Sequence, residues 1–157
     1  AHGFCIGGAT SLVSACDIRL ATRDAKFSIG ETKLGLVADV GVIQRMPKIV
    51  SSGDMNELAL TGRIFDGEHA ERIRFVNKAY ENSDELFEAG EKLAYEISFN
   101  SKRIVQATKQ ALEKSSNLTV DQGLEYAKLW STSFLVSEDL QEGVMAFLEK
   151  RDPKFNE

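Results

Sequence analysis

The chain has 157 residues, with 19 Lys and Arg against 24 Asp and Glu and 43% hydrophobic residues, the size and balance of one globular domain. At this length roughly 70% of the unfolded surface can be buried, so stability requires neither metal nor disulfide staples. A net charge of -5 argues against a protein that coats nucleic acid or an anionic membrane, and without a roughly 20-residue apolar run or a basic-then-apolar leader the sequence reads as soluble.

Residues 1–6 form a short apolar run closed by Gly7 and Gly8, and residues 9–16 follow with small side chains and Leu12 and Val13. This is the pattern of a strand, a glycine turn and a tightly buried helix. Cys5 and Cys16 lie in this segment without CxxC spacing and fit buried thiols of a reducing compartment, with a single bridge left open. Residues 18–22 and 26–29 read as strands separated by a turn at Arg23 and Asp24. Residues 30–41 make a glycine-punctuated loop that holds Glu31, Lys33 and Asp39, and residues 42–50 read as a short helix strained by Pro47. Ser51, Ser52 and Gly53 precede a helix through Leu60 that stops at Gly62, Asp66 caps another through Ile73, and residues 75–80 read as one more strand.

From Ser83 onward glycine is scarce and the pattern turns helical. Asn82 with Glu85 has capping-box spacing ahead of a stripe of Leu86, Gly90, Leu93, Ala94 and Ile97. Ser101 starts a helix with Ile104, Val105, Thr108, Ala111 and Leu112 on one face. Thr119 with Gln122 opens the next, with Leu124, Ala127, Ser131 and Phe134 on one face. Ser137 starts the last, with Leu140, Val144, Phe147 and Leu148 on one side and Pro153 as its end. The expected organisation is therefore an α/β part over residues 1–80 and a helical part over residues 81–157, without repeats or low-complexity linkers.

Two constellations have chemical potential. Gly7 and Gly8 stand at the mouth of a small-residue helix, where amide groups lack intrahelical acceptors and the macrodipole is positive, a suitable place for an oxyanion. Glycine lets a ligand approach the backbone closely. The spacing is neither GxGxxG nor Walker A, and a tight turn packed for structural reasons is the competing explanation. The second constellation is Glu31 and Asp39 in GETKLGLVADVG. A carboxylate among Leu34, Leu36, Val37 and Val40 would be partly desolvated and suited to accept a proton from carbon near neutral pH. The competing explanation is that both acids cap turns or pair with Lys33 and Arg45. Ser11 and Ser14 lack a nucleophile elbow, only His2 and His69 are present as imidazole bases, and no His, Cys and carboxylate set has metal-ligand spacing, so neither a serine hydrolase nor a metal site is expected.

The runs AHGFCIGGATSLVSACDIRLAT and KFSIGETKLGLVADVGVIQRMPKIV, continued by LALTGRIFD and EGVMAFLEKR, resemble the enoyl-CoA hydratase/isomerase, or crotonase, superfamily over nearly the whole chain. Within it, the ADVG, QR and PK residues between Ala38 and Lys48 are most similar to the dienoyl-CoA isomerases. The resemblance implies a ββα-spiral core, incomplete at its N-terminal side, followed by a C-terminal helical trimerisation region. It also implies binding of an acyl-CoA thioester, with no cofactor beyond the coenzyme A of the substrate, in a homotrimer or dimer of trimers. By the same resemblance Gly8 supplies one oxyanion-hole N–H, Glu31 is the base acting at C2 of the acyl chain, and Asp39 acts at the far end of a diene. Phe147 and Lys150 fall in a segment that meets the CoA nucleotide of a neighbouring subunit. Such a protein is expected in mitochondria or peroxisomes of a eukaryote, or in the cytoplasm of a bacterium.

The departures from the family carry information too. Ser11 occupies the position of a second carboxylate, and a neutral hydroxyl cannot replace a carboxylate in activating water, which favours isomerisation over hydration. Ala9 replaces the third glycine of the usual GGG, and Arg74 replaces the glycine of the usual GLV. The residues that would precede Ala1, including the second oxyanion donor, are not in this sequence; loss of one such donor typically costs about 2.7–4 kcal/mol of transition-state stabilisation. Three readings follow: an acyl-CoA double-bond isomerase of fatty-acid β-oxidation, an enoyl-CoA hydratase, and a non-catalytic crotonase-like piece serving oligomer assembly.

Overall fold

The structure, a computed structural model, describes residues 1–155. The chain divides into two compact units, Ala1–Glu91 and Lys92–Glu157. The first holds strands β1 (Phe4–Ile6), β2 (Leu20–Thr22), β3 (Lys26–Ser28), β4 (Phe65–Asp66) and β5 (Lys78–Tyr80). Its helices are α1 (Gly8–Ser14), α2 (Val42–Arg45), α3 (Ser52–Thr61), α4 (Gly67–Arg72) and the beginning of α5 (Ser83–Ser98), with 3-10 turns at Glu31–Leu34 and Met46–Lys48.

Two small sheets organise this unit. β1 pairs in parallel with β3, with Ile6 opposite Ser28, and β3 pairs antiparallel with β4. β2 pairs in parallel with β5, Leu20 opposite Lys78. The strands predicted at 18–22 and 26–29 are thus real but shorter, and their turn, closed by Ala25 N–H to Thr22 O at 3.1 Å, joins two different sheets rather than forming a hairpin. β4 has only two residues, too short to leave a periodic signal. Side chains of Phe27, Phe65 and Phe75 meet with ring centroids 5.4 to 6.0 Å apart and, with Met46, Leu58, Ala70 and Val76, form the core. Such aromatic contacts add to the stabilisation from area burial alone.

Local chemistry sets the helix limits. Ser51 Oγ accepts the Asp54 amide, Asp66 Oδ1 accepts the His69 amide, and Gly62 ends α3 with φ 58°. Pro47 lies in a 3-10 turn, Met46–Lys48, that follows α2 instead of continuing an α-helix, since it has no N–H to donate. Two expectations need correction. α1 does not bury Leu12, which is 71% exposed; its buried face consists of Thr10, Ser11 and Ser14. Cys5 is buried but Cys16 is exposed, because it lies beyond the last turn of α1.

The second unit contains the end of α5, α6 (Lys102–Ser115), α7 (Val120–Thr132) and α8 (Glu138–Glu149). Thr119 and Gln122 form the expected capping box. The inward stripe of α7 is displaced by about one residue from the predicted one: Gly123, Tyr126, Trp130 and Phe134 are half-buried while Leu124 and Ala127 are exposed. Trp130 fixes this rotation, since its Nε1–H donates to the Ala107 carbonyl of α6 at 2.9 Å and its ring lies between Tyr126 and Phe134. The N-cap of α6 also meets the first turn of α8: Ser101 Oγ accepts the Ile104 amide and donates to the buried carboxylate of Asp139 at 2.7 Å. α8 stops at Lys150, in the left-handed region with φ 54°, before Pro153 is reached.

Candidate active site

The site is built by the parallel pairing of β1 and β3. Because Ile6 lies opposite Ser28, both strands deliver their following residues to the same end of the sheet, and the Gly7 amide donates to the Ser28 carbonyl at 2.8 Å. Gly7 has φ 57° and ψ -119°, a conformation suited to glycine, and it turns the chain directly into α1. Gly8 is the first residue of α1, so its amide has no acceptor within the helix. A Cβ at Gly8 would meet nothing within 4 Å, leaving open space in front of that backbone.

Glu31 reaches the same place from β3. Through Ile29 and Gly30 the chain enters the Glu31–Leu34 turn, which Thr32 ties to α3 by donating from Oγ1 to Ala59 O at 2.7 Å. Ser28 Oγ adds a bond to the Gly62 carbonyl at 3.0 Å, and Gly62 packs against the Lys33 side chain. The carboxylate is thereby laid over the glycine pair: Oε1 is 3.2 Å from where a Cβ of Gly7 would stand. A side chain at residue 7 would press on this carboxylate. Oε2 is buried and has no hydrogen-bond partner among the described residues. Thr10 anchors the junction from beneath, its hydroxyl bonded to the carbonyls of Cys5 and Ser28. Sequence reasoning did not single out Thr10, Ser28 or Thr32, and single-sequence patterns hold no signal for a hydroxyl whose partner arrives from another strand or helix.

The structure brings Gly7, Gly8 and Glu31 together and treats Asp39 differently. Asp39 is exposed, in the segment between Gly35 at φ 73° and Gly41 at φ 96°. The apolar enclosure expected for these acids is absent from this chain, since Leu34, Leu36, Val37 and Val40 are all exposed. The 3-10 turn and the left-handed Gly35 swing those side chains outward, and the shielding of Glu31 comes from the glycine junction instead. Neither acid pairs with Lys33 or Arg45 among the described residues; Arg45 donates to the Val40 carbonyl at 3.1 Å. Ser11 is fully buried one turn along α1. Phe147 and Lys150 belong to the second unit, where both are exposed and Lys150 occupies the C-cap of α8.

A glycine-turned helix start facing a carboxylate across two parallel strand ends is an arrangement able to hold an anionic oxygen and move a proton beside it. The sequence model of the enoyl-CoA hydratase/isomerase family matches residues 1–157, and the chain belongs to that family. Its relatives include the mitochondrial Delta(3,5)-Delta(2,4)-dienoyl-CoA isomerase of Dictyostelium discoideum, 50% identical over 98% of this chain and 53% of the relative. The peroxisomal Delta(3,5)-Delta(2,4)-dienoyl-CoA isomerase of Arabidopsis thaliana is 43% identical over 98% of this chain and 55% of its own length. Among solved structures, an enoyl-CoA hydratase of Mycobacterium marinum superposes with a TM-score of 0.92 at 34% identity, covering 98% of this chain and 63% of that one. An enoyl-CoA hydratase of Bacillus anthracis gives 0.94 at 30% identity, over 98% and 59%. The fold is therefore the crotonase-like α/β fold, and the chain spans about half the length of the dienoyl-CoA isomerases that it matches.

Proposed function

We propose that the protein to which this chain belongs is an acyl-CoA double-bond isomerase acting in fatty-acid β-oxidation, with a dienoyl-CoA thioester as the substrate class. The observation that carries this reading is the placement of Glu31 Oε1, 3.2 Å from where a Cβ of Gly7 would stand, beside the first amide of α1. Removing a proton from C2 of a thioester places negative charge on the carbonyl oxygen, and an amide donor at that oxygen stabilises the enolate as it forms. The Gly8 N–H takes this part and Glu31 takes the proton. Asp39, three residues before α2 and exposed in this chain, serves the distal end of the diene, so that the double bonds migrate without an attacking water. Ser11 supports isomerisation over hydration, because it supplies no second carboxylate to activate water. Phe147 and Lys150 contribute to the CoA nucleotide site, with Lys150 as a point charge for phosphate, in a trimer or dimer of trimers.

The test is Glu31→Gln, assayed with a 3,5-dienoyl-CoA. Double-bond migration should fall at least about 10²-fold, the usual scale for a general base, with thioester binding by calorimetry little changed. Turnover equal to that of the unaltered protein would overturn the assignment. A 2-enoyl-CoA supplied in parallel should remain largely unhydrated.

A further inference from the structure

Asp39 lies in a stretch that belongs to neither helix nor strand, and its carboxylate has no hydrogen bond or ion pair among the described residues. Where that carboxylate points is therefore decided by the backbone on either side of it. On one side the Ala38 side chain is sunk into the core, 7% exposed. On the other, the Val40 carbonyl accepts a hydrogen bond from Arg45 Nη1 at 3.1 Å, and the Gly41 carbonyl accepts the Arg45 amide, also at 3.1 Å. One residue thus holds two successive carbonyls just after Asp39. Arg45 is itself firmly seated: α2, which it ends, has Val42 in the core, and Met46, next along the chain, is fully buried.

Gly41 makes room for this grip. It has φ 96°, and a Cβ built there would stand 2.2 Å from Arg45 Nη1 and 2.8 Å from Cζ, so the guanidinium occupies the volume that a side chain would fill. A guanidinium carries five N–H donors in a fixed fork. Here one of them meets a main-chain carbonyl next to Asp39, while Arg45 forms no ion pair among the described residues. We propose that Arg45 is a positioning residue for Asp39: by holding the Val40 carbonyl across the glycine bend, its side chain fixes the direction in which the Asp39 carboxylate leaves the chain. This rests on the assignment of Asp39 to the distal end of the diene.

Two reactions of the whole protein separate this role from general support of the fold. With a 3,5-dienoyl-CoA in deuterium oxide, the C2 proton passes to Glu31, is replaced by a solvent deuteron and returns to C2. That exchange does not use Asp39, whereas migration of the double bonds uses both acids. Arg45→Met should lower kcat for migration roughly tenfold or more, within the scale of a small misplacement of a reacting group. KM should stay within twofold, and C2 exchange should keep at least half its rate. Added to Asp39→Asn, the same substitution should cost less than a further twofold, because the group that it positions is already gone. Unchanged kcat with or without a rise in KM, equal loss of migration and C2 exchange, or losses that multiply in the double variant would each overturn the proposal. If Arg45→Met does not fold by circular dichroism, Arg45→Gln, whose amide ends short of the Val40 carbonyl, takes its place. Unaltered turnover of Asp39→Asn removes the assignment of Asp39 itself. A slow Asp39→Asn beside an unaffected Arg45→Met leaves that assignment standing and removes only the positioning role.

Discussion

Arg74 adopts φ 63°, a left-handed conformation that other positions of this chain give mainly to glycine. It is exposed and its amide closes a turn to Glu71 O at 2.9 Å, so the backbone there is fixed by α4 rather than by anything the side chain does. A non-glycine residue in that region costs roughly 1–2 kcal/mol, part of which glycine returns through its greater freedom when unfolded. Arg74→Gly should therefore stabilise the chain by about 0.5–1 kcal/mol and raise its melting temperature by about 1–4 °C in a thermal melt. At the same scale, Gly7, Gly8 and Glu31 were legible from sequence because glycine at a helix start and an acid in an apolar loop are each unusual. What Glu31 touches was not legible. In place of the expected enclosure by Leu34, Leu36, Val37 and Val40, the carboxylate lies where a side chain of Gly7, a residue 24 positions earlier, would stand.

Helices carried their own punctuation. Ser51, Asp66, Ser101, Thr119 and Ser137 all cap as expected, since a cap is satisfied by an amide three residues away and needs no distant partner. Strand pairing has no such local record: nothing near Leu20 names Lys78 as its neighbour across the sheet. The face of α7 was misread for a related reason, because the anchor of Trp130 is a carbonyl on another helix. The C-terminal segment after α8 offers a test of element docking. Glu142 accepts hydrogen bonds from Arg151 and from the Lys154 amide, and these hold its carboxyl down at about 2, below the ordinary 4.5. A depressed carboxyl contributes stability that is complete above the unfolded value and disappears as pH falls through the folded one. Amide exchange at Lys154 should therefore stay protected above pH 4.5 and lose protection progressively toward about pH 2. Glu142→Ala should remove that protection even at neutral pH.

For the whole molecule, the notable property is how much apolar side chain faces water. Phe4, Val37, Val120, Val136 and Phe147 are each at least 79% exposed, and Leu60, Leu129 and Leu148 at least 67%. Scattered apolar residues are normal on a surface, but this number of large ones exceeds what a free-standing domain of this size needs. The chain alone should bind an apolar dye such as anilinonaphthalene sulfonate without denaturant, while circular dichroism still reports its helices. Absence of dye fluorescence would show that these side chains are covered in solution. The site itself depends on very little of this surface. Three residue pairs between β1 and β3 set where the glycine turn and Glu31 emerge. A slip of one position in that ladder would send alternate side chains to the opposite face and carry the acid away from the amide. The placement of Glu31 beside the glycine pair therefore hangs on the alignment of this one short seam.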